Sequence, residues 1–209
     1  DVKNRGAWLN TIFFMGDDGD DNLHMKDCNT VADQVIATHP GYMVKKVMWD
    51  AYKRESSASG NTYPEVSRIV KQQQKQGALI MDYAGHGSEI LISHEKVLGI
   101  SDFAEFTNKN MPLWVTASCD IMPFDNGEAT IGETALLNSK GGAMAFYGTT
   151  RTVYASYNTT PLFNSVGISA NLHLAPFEVF VQLSDDYRSG YATSAMNGHK
   201  LKSMASVSW

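Results

Sequence analysis

The segment 78–89, ALIMDYAGHGSE, constrains the chain most, because it reads as a strand buried on both faces that stops on a glycine-flanked histidine. Ala78, Leu79, Ile80 and Met81 run apolar without alternation between Gly77 and Gly85, the pattern of a strand covered on both sides in a parallel sheet. His86 then falls just past the strand's C-terminal end, the edge at which open α/β sheets bind ligands. Gly85 and Gly87 are expected to let the main chain turn sharply and come close to a substrate.

Strand and helix patterns alternate along the chain in a way that predicts right-handed βαβ units. Trp8 to Met15 reads as a first buried strand and runs into an acidic loop, Asp17, Asp18, Asp20 and Asp21. Helical spacing follows over 26–39, closed by His39-Pro40-Gly41, and 42–49 reads as a second strand. The segment 56–62 has the composition of a loop. Pro64 suits the first turn of a helix that Gly77 terminates. Beyond His86, residues 90–100 fit a hairpin or a loop, and Ser101 is placed to cap a short helix over 102–106. Residues 112–119, PLWVTASC, make a fourth strand, 131–139 a helix with Ile131, Ala135, Leu136 and Leu137 inward, and 143–148 a fifth strand. The expected fold is α/β, with a mostly parallel sheet between helices on both faces.

Composition sets limits on partners. With 43% hydrophobic residues among 209, the chain can bury the core of one domain. Its net charge of -5 comes with one acidic cluster and no basic footprint, so nucleic acid is not an expected partner. No apolar run approaches the roughly 18 residues of a membrane span, and the opening DVKNRGAW lacks a signal-peptide core. A chain opening at Asp1 reads as a piece of something longer. Cys28 and Cys119 sit in unlike contexts, one on a polar helical stretch and one ending an apolar strand, and both read as free thiols.

The chemistry centres on two strand ends. A cysteine acts through its thiolate and needs a neighbour to take its proton, most often histidine. His86 and Cys119 end two strands of the same predicted sheet, and parallel neighbours lie about 4.8 Å apart, within reach of one substrate atom. The stretch between them is long enough for the crossover that parallel strands require. The backbone N–H groups of Gly87 and Cys119 are candidates for an oxyanion hole. The acidic loop has several readings: a solvated turn, a carboxylate orienting His86, a site for a basic group, or a Ca²⁺ site. His24 and His94 lie near the same edge, but neither forms a pair with zinc-ligand spacing and a further ligand, so no zinc site is expected. Two other functions stay open: a Mg²⁺-dependent phosphotransfer domain built on Asp17 and Asp18, and an inactive binding module of the same fold.

Tyr83-Ala84-Gly85-His86-Gly87-Ser88-Glu89, Ala117-Ser118-Cys119-Asp120, Phe124 and the helix carrying Gly132-Glu133 together resemble the gingipain-type cysteine peptidases. The resemblance spans about 8–161. It implies a caspase-like three-layer fold, with residues 1–163 as the catalytic domain; 164–209 depart from the family's pattern and read as a divergent or poorly ordered tail. It also implies that Cys119 is the nucleophile and His86 the proton-transfer partner. Gly87 and Cys119 would supply the oxyanion hole, and Asp17 or Asp18 would orient the histidine. His24, Ser118 and Glu89 would touch substrate. Where arginine-directed members carry an acidic residue for the substrate's basic side chain, this chain has His24, a departure from that specificity. Within the family the chain is most similar to the surface sortases of the type IX secretion system in Bacteroidetes. That likeness implies protein substrates, namely the C-terminal sorting domains of secreted cargo. It further implies contact with other secretion components, a cell-surface or outer-membrane-associated location, and an acyl-enzyme passed to water or to an amine. No cofactor is required by the resemblance, and Ca²⁺ is left open.

Overall fold

A computed structural model describes residues 6–58, 60–125 and 127–152. The expected domain boundary at 163, the tail 164–209 and an expected strand near 177–183 lie outside the described residues. In chain order the elements are β1 (Thr11–Gly16), α1 (Gly19–Thr38), β2 (Met43–Met48), β3 (Glu55–Ser57), β4 (Gly60–Thr62) and α2 (Pro64–Gln76). They continue with β5 (Ile80–Ala84), β6 (Leu91–Ile92), β7 (Leu98–Gly99), α3 (Ile100–Glu105), β8 (Leu113–Ala117), α4 (Ile131–Leu137) and β9 (Ala145–Tyr147).

Five strands form one parallel sheet in the order β2-β1-β5-β8-β9. Side chains alternate across a strand, and here both faces are covered. Ile12, Phe14, Ile80 and Val115 pack with Cys28, Val31, Ala32 and Val35 of α1. Phe13, Met15, Met81, Trp114 and Phe146 pack on the opposite face with Val66 and Val70 of α2, Phe103 of α3 and Ile131 and Ala135 of α4. Two-sided burial explains why the run 78–81 that leads into β5 is apolar without alternation. Counted by sheet position, the strand order is 2-1-3-4-5, whose switch point lies between the first and third strands. In this chain those strands are β1 and β5.

Register decides what meets at that point. Gly16 pairs with Ala84 and Ala84 with Ala117, so these three residues form one row across β1, β5 and β8. Asp18, His86 and Cys119 each lie two residues beyond that row.

Several local expectations are corrected. Trp8 belongs to a 3₁₀ turn, Ala7–Asn10, and the ladder begins at Thr11 opposite Met43. The expected loop at 56–62 is mostly the antiparallel hairpin β3–β4. Residues 90–100, by contrast, contain the hairpin β6–β7, one of the two forms expected of them. The N-cap of α3 is Gly99, whose N–H donates to Asp102 at 2.8 Å, so Ser101 lies inside the helix. Leu137, expected inward, is 80% exposed at the end of α4, because it lies about 200° round the helix from the buried Ala135. Pro64 opens α2 and Gly77 closes it, as the sequence predicts. Among the described residues no helix is long and apolar enough to cross a membrane.

Candidate active site

The main-chain ladder continues one step beyond the strands and then stops. Asp17 N–H donates to the Ala84 carbonyl at 3.1 Å, and Gly85 N–H to the Ala117 carbonyl at 3.3 Å. Beyond these bonds the three chains separate, leaving the segments after β1, β5 and β8 side by side at the sheet edge.

Asp17 is buried at the centre. Its carboxylate accepts the His86 main-chain N–H at 2.6 Å and the Gly19 N–H at 3.2 Å. The Tyr83 hydroxyl, with one proton to give, lies 2.7 Å from the His86 carbonyl and 3.1 Å from Asp17. Burial first, and then the Asp17 charge, hold the Tyr83 phenol well above its ordinary pKa, so it stays a neutral donor. Ser93 N–H also donates to the His86 carbonyl, at 2.9 Å. Both polar groups of the His86 main chain are therefore tied down. Trp49 stacks on Tyr83 with centroids 5.9 Å apart and donates its indole N–H to Ser93 Oγ at 3.2 Å, which fixes the Ser93 side of the clamp.

Asp18 is engaged elsewhere. Its carboxylate accepts from the Tyr63 hydroxyl at 2.7 Å, with Arg54 at 3.9 Å. Burial and this carboxylate raise the Tyr63 phenol's pKa. Asp17, not Asp18, touches His86, and it does so through the histidine's backbone.

The His86 ring is partly exposed and lies among three polar side chains. His94 stacks on it nearly parallel, with centroids 4.3 Å apart and planes at 6°. His24 meets it edge-on at 5.0 Å and 85°. Its Nε2 is 3.7 Å from Asp20 Oδ2. Asp20, Asp21 and Asn22 carry positive φ in succession, 51°, 54° and 64°, inside what is otherwise the first turns of α1. Asp and Asn tolerate this left-handed region better than most residues, and the turn presents Asp20 to both imidazoles. That acidic run was the sequence signal available for Asp20. Nothing in the sequence pointed to the stacking of His94.

Cys119 sits on the segment after β8, partly exposed, while Cys28 is buried in the α1 face of the core and has its thiol pKa raised by that burial and by Asp82. Neither forms a disulfide. The next residue, Asp120, turns with φ 49°. The segment is laced to the chain after β9. The Thr149 hydroxyl donates to the Ser118 carbonyl, Met122 N–H to the Thr149 carbonyl at 2.9 Å, and Thr152 to Asp120 at 2.8 Å. Arg151 grips Asp125 through two bonds of 3.0 and 2.6 Å.

Gly87 joins the histidine segment to the cysteine segment. Neither Gly85 nor Gly87 has positive φ, so the sharp turn expected of them is not what they supply. A methyl group on Gly87 would lie 2.4 Å from Ser118 Oγ and 2.5 Å from Ile121 Cδ1. The missing side chain is what lets the two segments touch. Gly87 faces Ile92 across a bridge whose two bonds come from Ser88 and Ser93; in that arrangement the Gly87 N–H points away from the hairpin.

The remaining expected contact residues are placed as follows. Ser118 is buried, and its hydroxyl, packed under Gly87, has no hydrogen-bond partner. Glu89 is partly exposed, and its carbonyl accepts the N–H of Ile131 at 2.8 Å, tying the segment after His86 to the start of α4. His24 is buried with its ring against His86. The side chains able to hold a metal ion among the described residues are Asp20, His24 and His86. Spacing along the sequence misses this trio, because the third ligand comes from a different strand end.

A model of peptidase family C25 matches residues 1–198. Among solved structures the chain is similar to one described as a protease, with TM-score 0.58 and 18% identity over 77% of this chain and 34% of that one. It is also similar to the Arg-specific cysteine proteinase gingipain R, with TM-score 0.55 and 16% identity over 84% and 43%. A third likeness is to the complex of Porphyromonas gingivalis RgpB pro- and mature domains, with TM-score 0.54 and 13% identity over 89% and 45%. The chain thus spans less than half the length of each. No curated protein sequence matches it. The likeness to these structures shows the shared α/β fold, and the match over nearly all of the sequence shows that the chain belongs to peptidase family C25.

Proposed function

We propose that the chain carries the nucleophile and base of a cysteine endopeptidase. The observation that carries this reading is the register of β5 and β8, which sets His86 and Cys119 level beyond one row of paired residues while Gly87 brings their segments into contact. The Cys119 sulfur attacks the scissile carbonyl carbon after giving its proton to His86. The Gly87 and Cys119 N–H groups stabilise the oxyanion. The C–N bond then breaks, the proton passes from His86 to the leaving amine, and an acyl-enzyme remains. Asp17 acts as a positioning residue by holding the His86 main chain.

The sortase-like activity is the finer part of the proposal. Substrates are C-terminal sorting domains of secreted cargo, met at the cell surface with other secretion components, and the acyl group passes to water or to an amine. A buried imidazole at His24, in place of a carboxylate, supports a specificity other than for arginine. The Mg²⁺ phosphotransfer alternative is disfavoured by the carboxylates themselves, since Asp17 is spent on main-chain N–H groups and Asp18 on Tyr63.

A peptidyl acyloxymethyl ketone tests the proposal. It is expected to label the native chain at Cys119 and to leave Cys119→Ala unlabelled; equal labelling of both would overturn Cys119 as nucleophile. With an added amine acceptor, a peptide–amine product separates transfer from hydrolysis.

A further inference from the structure

We propose that Asp20, His24 and His86 form a binding site for a zinc-type divalent cation, and that the bound ion switches the peptidase off. The binding rests on geometry alone, and only the switching rests on the function proposed above.

The donor atoms are already gathered. Asp20 Oδ2 lies 3.4 Å from His24 Nε2 and 3.7 Å from His86 Nε2, and one ligand atom from each of the three residues lies within 4.8 Å of the other two. Ligands about 2.0–2.1 Å from a tetrahedral zinc ion are separated by roughly 3.3 Å along each edge. The two edges that meet at Asp20 are thus near that length.

A second observation points independently to a ligand. The His24 side chain is only 8% exposed, yet its Nε2 has no hydrogen-bond partner. Buried polar atoms are almost always satisfied, and this one faces the other two donors. The negative surroundings favour a cation: Asp17 Oδ1 stands 4.0 Å from the same nitrogen.

The donor set selects the ion. Two imidazole nitrogens and one carboxylate suit zinc or a neighbouring transition metal, whereas Ca²⁺ and Mg²⁺ require mostly oxygen. Three protein ligands leave a fourth position for water. Asp20 is exposed and His86 partly so, which gives the ion a path from solvent. The stacked His94 ring buttresses His86 and lies outside the donor group.

The consequence for His86 is direct. Both imidazoles bind as neutral rings through Nε2, and any proton displaced from those nitrogens passes to solvent. A ring whose Nε2 lone pair is held by a cation cannot take up the Cys119 proton there. The resting chain is then blocked until the ion is withdrawn.

Calorimetric titration of the full chain with zinc chloride tests the site, with Cys119→Ala, His24→Gln and Asp20→Asn measured alongside. One ion per chain is expected in the wild type and in Cys119→Ala. Affinity should fall at least about tenfold in His24→Gln and in Asp20→Asn, since loss of a ligand costs no less than loss of its supporting partner. Asp20 is on the surface, so its variant serves if His24→Gln fails to fold. Absence of binding overturns the site. So does binding that vanishes in Cys119→Ala but persists in His24→Gln, which would assign the ion to the thiolate. Cobalt(II) adds an independent reading: a spectrum without a thiolate charge-transfer band supports the site, and such a band overturns it. Zinc should abolish peptide hydrolysis and a chelator restore it; hydrolysis unaffected at saturating zinc overturns the switch. Because binding is read in the Cys119→Ala chain as well, a failed cation site and a failed peptidase reading give different results.

Discussion

The Asp17 carboxylate accepts the His86 main-chain N–H at 2.6 Å, so the acid that follows β1 holds the histidine by its backbone and leaves the ring to its neighbours. Every group around Asp17 that approaches within hydrogen-bond distance is a donor: Gly19 N–H, His86 N–H and the Tyr83 hydroxyl. Asp17→Asn would turn an NH₂ group towards at least one of them. The expected cost is about 1.5–3 kcal/mol, the range for a hydrogen bond to a charged group, read by urea denaturation, together with a fall in kcat/KM. Asp18→Asn, which weakens the Tyr63 contact and the longer approach of the exposed Arg54, should cost no more than about 1.5 kcal/mol. A larger loss for Asp18→Asn than for Asp17→Asn would reverse the assignment.

The two thiols should differ sharply in reactivity. Cys28 is 1% exposed and its ionisation is suppressed by burial and by Asp82, whereas Cys119 is partly open to solvent. Iodoacetamide at neutral pH is expected to add one group to the native chain, located at Cys119 by peptide mass spectrometry. Cys28 should react only after denaturant is added. Native labelling of Cys28 would show that the α1 face opens readily.

Gly87 and Ser118 form a testable pair. A methyl group at Gly87 collides with the Ser118 hydroxyl and with Ile121, so Gly87→Ala should destabilise by about 1–3 kcal/mol, as overpacking does, and lower activity by pushing the two segments apart. Ser118→Ala removes a buried hydroxyl that has no partner and should be neutral or slightly stabilising. The double variant should recover part of the loss. Strict additivity in a double-mutant cycle would contradict the contact.

Stability should decline in alkali for an identifiable reason. Burial raises the folded-state pKa of Cys28 above its ordinary value near 9.0 and that of Tyr83 above 10.0. The unfolded chain therefore releases these protons at a pH where the folded chain still binds them, and unfolding gains up to about 1.4 kcal/mol per pH unit for each group. The stabilisation is full below pH 9 and is lost as pH rises through the raised folded values. Cys28→Ala should flatten the slope of unfolding free energy against pH between about 9 and 10; an unchanged slope would mean that Cys28 is not protected.

Much of the sheet could be read from the chain because each strand carries its own signal. β5 and β8 are announced by the largely apolar stretches 78–84 and 112–117, and α2 by Pro64 and Gly77 at its ends. Elements whose form depends on a distant partner were less visible. The β3–β4 hairpin has a loop's composition and exists because its two halves pair. Leu137 has the right chemistry for the core and the wrong position on a helix of seven residues. At the site, His86 and Cys119 stood out as reactive residues at strand ends. Asp20 was visible only as part of the acidic loop and His94 only as a histidine near that edge; their contacts with the His86 ring come from a left-handed turn and from a ring stack.

By itself, then, the sequence determined that helices and strands alternate, that the strand leading to His86 is buried on both faces, and that a histidine and a cysteine end two of the strands. Those properties follow from local hydrophobic period and turn chemistry. The tertiary structure alone decided register, which of two adjacent aspartates reaches His86, and which side chains surround its ring. A shift of one residue in the pairing of β1 with β5 would leave every local pattern unchanged, yet it would move Asp17 out of reach of the His86 N–H. That contact belongs to the packed sheet and to no single stretch of the chain.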